Sequence, residues 1–357
     1  MTALNPLPIS SSELSDRERD VLEAVVRRYV DTAEPAGSRT LARAYDLGVS
    51  AATIRNTMAD LEEKGYLSHP HTSAGRVPTD LAYRFFVDSV MSPRRMSGEA
   101  KRFIRSELDV AGASAIERLI RQAVRAISLF SDELGVAVSP TLRDAVLERV
   151  DLIRVSSDKV MLVSTVTGGI ARTLYAHLSV EIGSQALARI AQAMNERLSG
   201  LTLRELGLTL HDRMRDTHLG DPGAEELVNI FVQSGPDLFE SPPLTGSTVM
   251  LGQASVLANQ PEFARSEQLK GLISLTERRD VLARAMGGHR RRGGLVVTIG
   301  GENDSEELSN FTLVTSEYRA GGLKGVIGVI GPTRMAYEKV VTIVDYTSTV
   351  MTTMLES

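Results

Sequence analysis

Capping and turn signals follow one another so closely between Ser15 and Thr79 that this stretch has room only for short helices closed by a β-ribbon. Ser15 with Glu18 three residues on is a capping box, in which each side chain satisfies the other's backbone donor. Leu22, Val25, Val26 and Tyr29 then recur at helical spacing. A second helix starts after Gly37-Ser38, runs through Arg43 and stops near Asp46. After the turn Asp46-Leu47-Gly48-Val49, Ser50 caps a third helix from Ala51 to Lys64, closed by Gly65. Two extended pieces, Tyr66–His69 and Arg76–Pro78, flank a loop of His, Thr, Ser and Gly, and Thr79 caps a fourth helix reaching Val90. Residues 1–91 therefore read as a winged helix-turn-helix domain.

In such a domain the second helix of the pair lies in the major groove, with its N-terminal residues at the base edges. Here that helix opens Ser50-Ala51-Ala52-Thr53-Ile54-Arg55-Asn56. Ile54 and Met58 point inward, which leaves Ala51, Ala52, Thr53 and Asn56 towards solvent and Arg55 at the flank. Small side chains let backbones approach; Asn pairs with adenine, Arg with guanine or phosphate, and Thr or Ala methyls meet thymine. In the wing, His71, Thr72, Ser73, Gly75 and Arg76 supply hydroxyls, amides and a cation for phosphate oxygens, in a loop without acids. Ser38 and Arg39 join the candidate DNA-binding set. A capped surface helix with no partner is the bland alternative, and turn residues the bland reading of His69 and His71.

Charge alone does not carry the DNA reading. The chain has a formal net charge of −5, and residues 1–90 hold ten basic and thirteen acidic side chains. Between 39 and 84 the balance is six basic (Arg39, Arg43, Arg55, Lys64, Arg76, Arg84) against five acidic. Asp60, Glu62 and Glu63 fall at the far end of the reading helix. Placed arginines, not bulk charge, must supply phosphate affinity.

Beyond Ser92-Pro93-Arg94-Arg95, which reads as a linker, Ser114 and Glu117 open a helix whose apolar stripe runs to Phe130. Three strands follow at Glu148–Ser156, Lys159–Val166 and Ile170–His177, then helices near Ser184–Ser199, Leu203–Leu206 and Ala224–Gln233. The last third offers helices near Glu262–Leu275 and Arg278–Met286, strands at Leu295–Ile299, Asn310–Thr315 and Gly325–Ile330, and a terminal helix from Thr333 to about Met354. Without regular βαβ alternation this is a multidomain α+β chain.

Pro35-Ala36-Gly37-Ser38, Ser50–Asn56, Leu61–Leu67 and Pro70–Thr79 resemble the successive signatures of the heat-inducible transcription repressor HrcA family. Gly331-Pro332-Thr333-Arg334-Met335 with Tyr337 is similar to that family's C-terminal signature; the middle third matches in layout only, and Ala36 stands where many members have Val. The resemblance implies three domains: the winged helix-turn-helix, a GAF-like α+β domain at 92–147 and 241–357, and an inserted dimerisation domain at 148–240, a three-stranded antiparallel sheet with helices. It further implies a homodimer on double-stranded DNA carrying an inverted-repeat operator of the CIRCE type, and dependence on a GroE-type chaperonin that unfolded protein titrates away on heat stress.

Other classes find less support. The absence of cysteine removes thiolate metal sites, disulfides and cysteine nucleophiles. No G-x-S-x-G, H-E-x-x-H or P-loop is present, and His177, His211, His218 and His289 are scattered, so no catalytic, metal or cofactor site is assigned. A regulator controlled by a small molecule in the GAF-like domain is the alternative function. Its candidate polar groups, Arg290-Arg291-Arg292 and Gly301–Glu307, read more economically as solvated loops. A DeoR-type sugar-phosphate regulator would need a doubly wound sensor half. With a polar Met1–Glu13 and no bilayer-length apolar run, a cytoplasmic protein without membrane contact is expected.

Overall fold

Ser15 starts the first helix as its neighbours require: its hydroxyl accepts from the Glu18 amide, and its own amide donates to Glu18 Oε2 at 2.8 Å. The computed structural model describes residues 14–70, 75–92, 96–108, 116–140, 145–167, 170–179, 181–215, 222–239, 249–258, 260–264, 266–320 and 323–356. Helix α1 (Asp16–Thr32) buries Val21, Leu22, Val25 and Val26 and packs against α3 (Ala51–Glu63), with α2 (Ser38–Ala44) between them in sequence. Gly65 ends the α3 turn at φ +79°, a conformation that favours glycine. Strands β1 (Leu67–Ser68) and β2 (Val77–Pro78) pair antiparallel, Leu67 opposite Pro78, and Arg76 adds a bridge to Ala36.

Helix α4 (Asp80–Phe85) continues as a π-helical turn, Phe86–Val90. Thr79 does not cap it with its side chain. Its hydroxyl donates instead to the carbonyls of Gly65 and Tyr66, at 2.7 and 3.0 Å, because the ribbon brings Thr79 back to the end of α3 where carbonyls lack helical partners. Helix α5 (Gly98–Leu108) was not foreseen; its charged sequence buries only Ile104 and Leu108. Helix α6 (Ile116–Ser131) buries Ile120, Ala123, Val124 and Ile127, and the expected cap Ser114 lies outside the described residues, as do Pro93–Arg95. Strand β3 (Leu134–Val138) follows, buried throughout.

The chain next forms an antiparallel meander of β4 (Leu147–Arg154), β5 (Lys159–Val166) and β6 (Ile170–His177). Alternate residues of β5 are buried, so one face is covered. Helices α7 (Ser184–Leu198), α8 (Leu203–Met214) and α9 (Pro222–Phe239) supply Ile190, Met194, Leu206 and Phe231 to the same core as Val150, Val160 and Leu162. Helix α8 runs beyond the expected Leu206; the Thr202–Glu205 capping box starts it, and burial of Leu210 and Met214 carries it across Gly207.

The remainder adds β7 (Val249–Leu251), α10 (Ser255–Ala258), α11 (Ser266–Glu277), α12 (Arg279–Arg292), β8 (Leu295–Ile299), β9 (Phe311–Ala320), β10 (Leu323–Pro332) and α13 (Tyr337–Glu356). A five-stranded sheet has the order β7-β3-β10-β9-β8, with Ile327 opposite Ala137 and Val297 opposite Val314. Arg290 and Arg292 therefore close a helix and do not sit in a loop. Helix α13 begins four residues after the expected Thr333, because residues 333–336 bring Arg334 to another partner before helical hydrogen bonding begins.

The fold is thus mixed α+β with several sheets, in two units. One comprises Met1–Ser139, Thr245–Tyr318 and Val326–Met354; the other comprises Pro140–Leu244, Arg319–Gly325 and Leu355–Ser357. Among the described residues no helix is long and apolar enough to cross a membrane.

Candidate nucleic-acid interface

Two faces of α3 differ sharply in burial. Ile54, Thr57, Met58 and Leu61 are buried against α1 and α2, whereas Ala52, Arg55 and Asn56 are exposed and Ala51 and Thr53 half-buried. The Ser50 hydroxyl accepts from the Thr53 amide at 3.1 Å and lies 3.0 Å from the Thr53 hydroxyl, so the first turn is fixed by its own side chains. Thr57 donates back to the Thr53 carbonyl, which keeps its hydroxyl off the exposed face. What the first two turns present is a strip of methyls, one amide side chain and one guanidinium. Arg55 is exposed at the edge of this strip.

Ser38 and Arg39 open α2, Ser38 half-buried and Arg39 exposed. The ribbon reaches them through Ala36: the Ala36 amide donates to the Arg76 carbonyl at 2.8 Å and the Arg76 amide to the Ala36 carbonyl at 2.9 Å. A side chain at Gly75 would run into the Ala36 carbonyl, so only glycine admits this approach. Gly75 and Arg76 are thereby joined to the start of α2. His71, Thr72 and Ser73 lie outside the described residues.

The basic side chains of this region divide into two sets. Arg39, Arg43 and Arg55 are exposed and make no ion pair among the described residues. Lys64 is held by Glu18 at 2.8 Å, and that hydrogen bond keeps the Glu18 carboxyl down at about 2. Arg84 is buried and paired with Glu302 and Asp88. Arg76 is held by Glu62 at 2.6 Å, with a second guanidinium nitrogen 2.8 Å from His69 Nδ1. Glu62, at the far end of α3 from Asn56, lies beside the base of the ribbon. Three of the six cations between 39 and 84 are thus neutralised within the fold, and the other three are all on α2 and α3.

Comparison with known proteins fits this arrangement. Residues 117–341 match the model of the HrcA protein C-terminal domain. Two relatives named heat-inducible transcription repressor HrcA extend the likeness to the N-terminal region. The protein of Chlorobium phaeovibrioides is 37% identical, covering 97% of this chain and 99% of its own; that of Chlorobium phaeobacteroides is 38% identical, covering 94% and 96%. The chain belongs to the HrcA family. A solved structure described as a hypothetical protein shares the fold over 96% of this HrcA-family chain and 98% of its own, with a TM-score of 0.54 at 20% identity. The helices α1 to α4 of this HrcA chain precede the matched domain model and are covered by the full-length relatives.

Proposed function

We propose that this protein is a heat-inducible transcriptional repressor that reads DNA with α3. The observation carrying the reading is the exposed strip of α3 bearing Ala52, Arg55 and Asn56, on a helix whose other face is buried, with Arg39 and Arg43 exposed on α2; none of the three arginines makes an ion pair among the described residues. Helices α1 to α4 with the β1–β2 ribbon act as a winged helix-turn-helix. The five-stranded sheet and its helices serve as the GAF-like domain, and the β4–β6 meander with α7–α9 as the inserted dimerisation domain. A two-fold dimer then reads an inverted-repeat operator, one α3 per half-site. With Arg39, Arg43 and Arg55 as the cations of α2 and α3 without an ion pair among the described residues, a single half-site is weak, so pairing of two copies supplies affinity through effective concentration. A GroE-type chaperonin is the partner that keeps the repressor active until heat stress engages it elsewhere. Gel-shift titration of an inverted-repeat duplex against a scrambled one, with and without chaperonin, tests this. Equal binding of both duplexes would remove sequence-specific repression.

A further inference from the structure

Two arginines cross between the N-terminal helices and the five-stranded sheet, in opposite directions. Arg84, on α4 and 2% exposed, donates Nε to Glu302 Oε1 at 2.7 Å, Nη2 to the Val297 carbonyl at 2.7 Å and to Glu302 Oε2, and Nη1 to Asp88 at 3.1 Å. Every face of that guanidinium fork is engaged, and one of its acceptors is the backbone of β8. From the other side Arg334, ahead of α13, donates Nη1 to the Val30 carbonyl in the last turns of α1 at 2.7 Å. Its Nε and Nη2 bind the Glu262 carboxylate. Each arginine thus bonds a main-chain carbonyl of the opposite part and is neutralised by a carboxylate of the sheet part.

Lesser ties run alongside: Arg27 on α1 to Glu338 on α13 at 2.9 Å, and the Gly301 amide to Asp80 on α4 at 3.0 Å. The Gly301–Glu307 stretch, which the sequence suggests is a solvated loop, is therefore part of this contact through Gly301 and Glu302. The Gly331–Met335 signature, without a role in the sequence, contributes Arg334. One pinned point leaves a rigid body free to swivel; two bidentate forks leave only rotation about the line joining them, which the Arg27–Glu338 and Asp80–Gly301 ties oppose.

We propose that Arg84 and Arg334 are positioning residues for operator recognition, fixing the angle at which α3 is presented from the sheet. In a symmetric dimer that angle sets the separation of the two reading helices, and so the half-site spacing the protein accepts. This rests on the dimeric DNA reading above.

The test uses the full chain and three proteins: the parent, Arg334→Gln, and the double variant Arg84→Met with Glu302→Gln, which removes both charges of the Arg84–Glu302 pair together. Each is titrated against a single half-site and against inverted repeats whose central spacer changes one base pair at a time. The parent is expected to prefer one spacing by about tenfold or more, and the variants to bind the half-site within about twofold of the parent while their spacing preference falls to about threefold or less. Thermal melting records any loss of fold; should the double variant not fold, Arg334→Gln decides. A variant that keeps the full spacing preference overturns the positioning role, as does one that loses half-site and full-site binding in equal proportion. A parent that binds none of the duplexes overturns the DNA reading itself, a separate and earlier failure.

Discussion

Glu62, near the C-terminal end of α3, holds Arg76 at the foot of the ribbon at 2.6 Å, so the ribbon's arginine is neutralised within the protein itself. His69 shares the same guanidinium at 2.8 Å. A phosphate must therefore compete with a carboxylate for Arg76. Replacing Glu62 by Gln should raise duplex affinity about fivefold, roughly the 1 kcal/mol of a partly exposed ion pair, and steepen the salt dependence by about one unit. Arg76→Ala should weaken binding, and in the Glu62→Gln background it should abolish the gain. Titrations across a salt series measure both; an unchanged Glu62→Gln protein would take Arg76 out of the interface.

Asn56 stands on the exposed strip of α3, and its side chain makes no hydrogen bond among the described residues. Its amide is free to pair with a base edge, whereas Thr53 is already engaged with Ser50. Asn56→Ala should cost about 1–3 kcal/mol on the cognate duplex and much less on a scrambled one. Arg55→Ala should weaken both duplexes to a similar degree. If Asn56→Ala lowers the two affinities by the same factor, that side chain contacts the backbone and specifies no base.

How much of this was legible in the sequence depends on the range of each interaction. The Ser15, Ser50 and Thr202 caps act within three residues, and the first two could be read directly. Strand β3 could not, because Gly135 and Ala137 weaken its strand signal and its partner β10 lies far along the chain, Ala137 opposite Ile327. The exposed strip of α3 was legible from the spacing of Ile54, Met58 and Leu61. The fate of the charges was not: Arg84 meets Glu302 across 218 positions, and neither residue type announces its partner. Glu62 was misjudged for the same reason, since helix position alone does not place a ribbon beside it.

His289 is buried with Nδ1 2.8 Å from the Thr315 hydroxyl and Nε2 3.2 Å from that of Thr298. Burial pushes its pKa down from 6.5 to about 4, so the folded protein holds the ring neutral. The unfolded chain binds the extra proton between those values, which makes stability complete above about pH 6.5 and progressively lost as pH falls towards 4. The loss is of the order of 3 kcal/mol. Chemical denaturation at a series of pH values should show this decline, and His289→Gln should flatten it. A decline of equal size in the variant would assign it to other groups.

Tyr83 and Tyr337 lie with ring centroids 5.8 Å apart, both buried, yet their hydroxyls fare differently. That of Tyr337 donates to the Thr333 carbonyl at 2.6 Å and lies 3.3 Å from the Thr312 hydroxyl. That of Tyr83 has no hydrogen-bond partner among the described residues. Burying a hydroxyl without a bond costs free energy, and removing one that is bonded strands its partner. Tyr83→Phe should therefore leave stability unchanged or raise it by about 1 kcal/mol, worth a few degrees in melting temperature. Tyr337→Phe should lower it by about 1 kcal/mol, because the Thr333 carbonyl ahead of α13 loses its donor. The two variants delete the same atom from neighbouring rings, so changes in ring packing largely cancel between them. Equal destabilisation in both would mean that the Tyr83 hydroxyl is bonded in solution.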